Sequence, residues 1–144
     1  GARTGARVPL RLEAEGGERP EQGVRPRRAA GAGLGIACAL DYRVGAAGAR
    51  YTTAFAGIGL TADSGLSWTL PRLVGAGRAA ELLLLAQPFT SERALELGLL
   101  NELVAAEEVL PHATELARLL AAGPTAAYAC IKEPLAFGSS HDLV

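Results

Sequence analysis

The chain has 144 residues, 49% apolar and 20% charged, with a formal net charge of −1. Those values bound it to one domain with one modest core. They supply no field of either sign that would select nucleic acid or an anionic membrane as partner. Two cysteines, Cys38 and Cys130, show no metal-ligand spacing, so no metal site is expected. Both read as small core residues of a cytoplasmic protein. Apolar runs such as LLLLA at 82–86 are far shorter than a membrane span. There is no methionine and the chain starts at Gly1, as expected of a piece of something longer.

Residues 1–28 mix Arg, Glu, Gly and Pro with few large apolar side chains, too little burial to offset the entropy of ordering them. They are expected to be disordered, and the packed domain to run from Ala29 to Val144. The segment AAGAGLGIACALDYRV predicts a tight glycine turn, a short helix through Ala39 and a strand near Asp41–Val44. ARYTTAF, 49–55, has strand character. A glycine-bounded loop, 57–62, then leads into a helix starting near Asp63, with apolar Leu66, Leu70 and Leu73 and a stop at Gly75.

The remainder reads as helical: Arg78–Ala86, a helix capped by Thr90 or Ser91 and closed at Gly98, and a longer one over 106–122 ending at Gly123-Pro124. On the longer one Val109, Leu110, Ala113, Leu116, Ala117 and Leu120 form one face, read as core. A last helix, TAAYACIKEPLAF, is expected to be cut short by Pro134.

Two features bear on function. GAGLG at 31–35 lacks the hydrophobic strand that a dinucleotide fingerprint needs before its glycines. It leaves two readings open: backbone N–H groups at a helix start that hold a ligand oxygen, or close helix packing. Asp63 is the one charged side chain in AFAGIGLTADSGLSWTLP, 54–71. It is either an N-cap, contributing about 1 kcal/mol, or a general acid/base in a largely apolar pocket.

Four segments in order, AAGAGLGIACALDYRVGAAGARYTTAF, GIGLTADSGLSWTLPRLVGAGRAAELLL, PFTSERALELGLLNELV and AAGPTAAYACIKE, resemble the enoyl-CoA hydratase/isomerase, or crotonase, superfamily. The resemblance implies an α/β spiral of ββα units, here a partial domain, acting on an acyl-CoA thioester through an enolate held in an oxyanion hole. It places one oxyanion donor at the Ala32 N–H, exposed by Gly31 and Gly33. The paired glutamates of true hydratases fall at Gly35 and Phe55, so hydration is disfavoured. Asp63 resembles the single aspartate of isomerase-like members, including those of phenylacetate breakdown. Ile58, Leu60, Leu66 and Trp68 are pocket or core residues, core being favoured. The family implies no cofactor beyond the coenzyme A of the substrate, and a homo-trimer or hexamer. The family's first half has no counterpart in residues 1–28, so a non-catalytic fragment with a structural or oligomer-forming role is the alternative.

Overall fold

In the computed structural model, which describes residues 28–138, strand β1 (Arg28–Ala30) turns at Gly31 into helix α1 (Ala32–Cys38). Gly31 has φ +53° and ψ −122°, a region open only to glycine. Its N–H donates to the Thr52 carbonyl at 3.2 Å and its carbonyl accepts from the Gly35 N–H at 3.0 Å. The turn is thereby fixed against the next strand of its sheet. The disorder expected of residues 1–28 falls, for 1–27, outside the described residues.

Strands β2 (Val44–Ala46) and β3 (Arg50–Thr52) follow. The strand expected at 41–44 therefore starts at its last residue. Asp41 is exposed, and Arg43 is held by a side chain: its N–H donates to Asn101 Oδ1 at 2.9 Å. The buried Arg43 guanidinium donates to the carbonyls of Leu99 at 2.7 Å and Leu40 at 2.6 Å. A guanidinium taken out of water this way needs such acceptors, and burial lowers its pKa. Its bonds tie the exit of α1 to the chain ahead of the last strand.

A 3-10 turn (Phe55–Ile58) leads through a loop to α2 (Leu66–Val74), and Gly75 separates α2 from α3 (Ala76–Leu85). Leu66 and Leu70, one turn apart, are fully buried, each worth about 1.5–3 kcal/mol of burial. The stretch beyond Gly75 is not wholly helical. Short strands β4 (Phe89–Thr90) and β5 (Glu102–Val104) bracket α4 (Ser91–Glu96). Thr90 caps α4 as expected, its side chain accepting from the Arg93 N–H at 3.2 Å.

β1 pairs in parallel with β3, Ala29 facing Tyr51, and β3 pairs antiparallel with β4, Tyr51 facing Phe89. β2 and β5 form a second, parallel pair with Gly45 facing Leu103. The Tyr51 and Phe89 rings stack at 5.9 Å over a core that includes Leu34, Val44, Leu66, Leu70 and Leu99.

Three expectations fail in the C-terminal part. On α5 (Val109–Ala122) Val109 and Ala113 are buried, but Leu110 is 49% and Leu120 38% exposed, so only the first turns of the stripe reach the core. Helix α6 (Thr125–Gly138) runs through Pro134. The proline removes one bond, to the Cys130 carbonyl, on a helix with no buried side chain, where water can satisfy the freed group. Cys130 lies on that same helix and is exposed, while Cys38 is buried.

Candidate functional site

The site is built on α1 and the loop that crosses it. Ala32 is the first residue of α1, so its N–H lies outside the helical ladder and at the positive end of the helix dipole. Ala32 and Gly33 are exposed. One turn further on, Gly35 is buried beneath the Asp63–Ser64 turn. A Cβ built on Gly35 would lie 3.0 Å from both Ser64 Cβ and the Ser64 carbonyl oxygen, and 3.4 Å from the Asp63 carbonyl oxygen. A Cβ on Gly31 would lie 3.6 Å from the Phe55 ring. Gly31 is thus brought to Phe55, and Gly35 to the Asp63–Ser64 turn, where the packing reading of GAGLG holds.

Asp63 is not the N-cap of α2. That position is Gly65, at φ +73°, with no side-chain cap bond. Ser64 also has positive φ, +53°, and these two left-handed residues delay the helix to Leu66. The Asp63 carbonyl accepts from the Leu66 N–H at 3.0 Å. Its carboxylate accepts from the adjacent Ser64 N–H at 2.6 Å and is exposed, not set in an apolar pocket.

Of the four apolar residues read as pocket or core, only Leu66 is core. Ile58, Leu60 and Trp68 are 71%, 58% and 51% exposed. The Trp68 indole is held from one side by Arg72, whose guanidinium stacks 3.8 Å from the ring centroid. The loop carrying Ile58 and Leu60 is anchored at its start. Thr53 Oγ1 donates to the Leu82 carbonyl at 2.7 Å and Thr52 Oγ1 to the Ala86 carbonyl at 3.0 Å, satisfying acceptors at the end of α3.

Sequence reasoning missed a polar cluster elsewhere. Tyr42 Oη donates to Glu102 Oε1, and His112 Nε2 pairs with Glu102 Oε2. The Tyr42 bond, then that of His112, lowers the Glu102 pKa, and Glu102 in turn raises that of Tyr42. No local signal could have found it, since Tyr42 meets Glu102 through the β2–β5 pairing and His112 reaches it from α5. A cavity of about 110 Å³ lined by Arg78, Leu85, Phe89 and Arg93 contains none of the predicted site residues. Among the described residues no group of three His, Cys, Asp or Glu could hold a metal ion, and no helix is long and apolar enough to cross a membrane.

The profile of the family described as enoyl-CoA hydratase/isomerase matches residues 27–144. A protein of Rhodobacter capsulatus named as a probable enoyl-CoA hydratase is 40% identical over 115 residues, 80% of this chain and 45% of that protein. The 1,2-epoxyphenylacetyl-CoA isomerase of Escherichia coli K12 is 38% identical over 107 residues, 74% of this chain and 41% of the isomerase. A Thermobifida fusca YX relative solved in complex with acetoacetyl-CoA superposes with a TM-score of 0.76 at 33% identity, over 83% of this chain and 47% of its own. The chain thus spans less than half the length of these relatives.

Proposed function

Because the chain belongs to the enoyl-CoA hydratase/isomerase family, we propose that it acts on an acyl-CoA thioester through an enolate, by isomerisation in preference to hydration. Its fold is the crotonase-like α/β fold, in part. In this reading the Asp63 carboxylate removes a proton from the carbon next to the thioester carbonyl of an enoyl chain. The electron pair moves onto the thioester oxygen, which accepts a hydrogen bond from the Ala32 N–H. Asp63 then returns the proton at the γ carbon, the double bond shifts by one position, and the carboxylate is regenerated.

The observation that supports the reading is the contact between Gly35 and the Asp63–Ser64 turn, which brings the turn carrying Asp63 against the helix that begins at Ala32. Hydration by paired carboxylates is disfavoured because Gly35 and Phe55 have no ionisable group. Gly31 and Gly33 leave the helix start open to the thioester, and Ile58, Leu60 and Trp68 are the apolar surface offered to the acyl chain. The 1,2-epoxyphenylacetyl-CoA isomerase among the relatives supports isomerisation of a CoA thioester as the broad reaction class. No cofactor beyond the coenzyme A of the substrate is called for. The proposal includes a cytoplasmic location and a packed domain from Ala29 onward, with assembly into a homo-trimer or hexamer kept for the full-length family domain.

The test is turnover of a 3-enoyl-CoA by the full chain and by D63N. The variant should lose about two to four orders of magnitude in kcat. Equal turnover by the two would refute the assignment of Asp63. A folded chain that binds no acyl-CoA by calorimetry would instead favour the non-catalytic, structural role.

A further inference from the structure

Gly35 contributes no side chain to the proposed chemistry, yet the Asp63–Ser64 turn packs directly against it. We propose that Gly35 and Ser64 together form the seat of the catalytic carboxylate: Gly35 is a positioning residue whose missing Cβ lets the left-handed turn at Ser64 close on α1 and hold the turn that carries Asp63 against that helix. The proposal rests on the isomerase reading for its kinetic consequence, but not for its geometry.

Two independent observations carry it. The first is space. A Cβ on Gly35 would stand 3.0 Å from Ser64 Cβ and from the Ser64 carbonyl oxygen, well inside the roughly 3.5–4.0 Å at which carbon atoms pack. Even alanine must push the turn away. The second is conformation. Ser64 is held at φ +53°, a region that a residue with a Cβ enters only when its surroundings impose it. Ser64, the residue that touches α1, also donates its N–H to the Asp63 carboxylate at 2.6 Å, and the next bond, Leu66 N–H to the Asp63 carbonyl at 3.0 Å, closes the turn. Contact with α1 is thus linked through one residue to the orientation of the carboxylate. Gly33, two residues earlier on the same helix, has nothing within 4 Å of the place its Cβ would take, so the restriction belongs to Gly35 and not to α1 in general.

The experiment compares the full chain with G35A, S64G and G35A/S64G. S64G removes the Cβ that G35A would strike and relieves the left-handed strain, while leaving the Ser64 carbonyl in place. One readout is the amide proton shift of residue 64 by NMR as the pH is lowered through the carboxylate range, a response that is large while that amide is hydrogen-bonded to Asp63 and small when it is not. The other is kcat and KM for 3-enoyl-CoA isomerisation. G35A should lose most of the pH response of the residue 64 amide and about tenfold in kcat, less than the roughly hundredfold expected of a 1 Å misplacement because the turn need give by only a few tenths of an ångström, with KM within about twofold of the parent. The double variant should recover part of both. If G35A does not fold, folding of the double variant is the same rescue, and its failure to fold overturns the proposal. A G35A chain that keeps the amide response also overturns it, as does equal loss in G35A and the double variant. If the parent chain shows no turnover, the isomerase reading fails, and the amide response alone decides whether Gly35 seats the carboxylate.

Discussion

Replacing Gly33 and Gly35 by alanine, one at a time, sets helix propensity against packing within a single seven-residue helix. In a helix interior alanine is favoured over glycine by about 0.5–1 kcal/mol, because glycine loses more backbone freedom on folding. At Gly33 nothing lies within 4 Å of the new Cβ, so the gain stands, reduced by the closeness of the helix start. At Gly35 the same gain is opposed by two contacts at 3.0 Å, about 0.5–1 Å inside optimal separation. Overpacking of that kind costs about 1–3 kcal/mol, and one of the opposing atoms is backbone, which yields less readily than the end of a long side chain. The signs therefore differ: Gly33→Ala stabilises by a few tenths of a kcal/mol, and Gly35→Ala destabilises by about 1 kcal/mol. Urea unfolding followed by circular dichroism measures both, and with a slope of about 1–3 kcal/mol/M the two midpoints should separate by roughly half a molar or more. Equal stabilisation by the two alanines would show that the turn moves aside freely, and the packing argument would be wrong.

Two other outcomes follow from the polar and thiol groups. Tyr42 first, then His112, holds Glu102 below the ordinary 4.5, so the stability this adds is present above that pH and lost as the pH falls through the folded value. Tyr42→Phe should therefore lower the urea midpoint at pH 7 and do so less at pH 3; a pH-independent difference would contradict the linkage. Burial pushes the Cys38 thiol up to about 11, against the smaller opposing effects of Arg43 and Thr69, whereas Cys130 is exposed. A thiol reagent at pH 8 should label one cysteine of the folded chain and two in urea, and prompt labelling of both in the fold would refute the burial of Cys38.

The parts of the fold legible in the sequence are those whose signals are local. Gly75, Thr90, Gly98 and the Gly123-Pro124 pair each mark a helix boundary by a backbone need that the residue alone announces, and the structure places ends or caps at or beside them. Strands β4 and β5 went unread because two or three residues carry no periodicity. They exist through pairing with β3 and β2, far upstream. Of the two readings open for Asp63, the cap fails for a related reason. Asp-Ser before an apolar run is a cap signal, but the close approach of Gly35 helps hold Ser64 left-handed, and that contact cannot be seen in the local sequence. Hydropathy likewise suggested that Ile58, Leu60 and Trp68 are core, although an apolar residue is no assurance of burial. The family and its order of motifs were legible, because they lie in the residues themselves.

That exposure has a consequence for the proposed chemistry. A carboxylate in open water is a poor base toward a carbon acid, and hydrogen bonds to a developing enolate oxygen gain strength only where water is excluded. Asp63 and Ala32 are both exposed, so neither is prepared for the reaction by burial within this chain. The same loop and the first turn of α2 hold Ile58, Leu60 and Trp68 open, and an acyl chain laid on them would remove apolar surface from water at about 25 cal/mol per Å². Such a chain would also displace water beside Asp63. The acyl group would then act as substrate and as part of the enclosure, so longer chains should raise kcat as well as lower KM. A series of 3-enoyl-CoA esters of increasing length tests this, and a kcat independent of length would place the source of desolvation elsewhere.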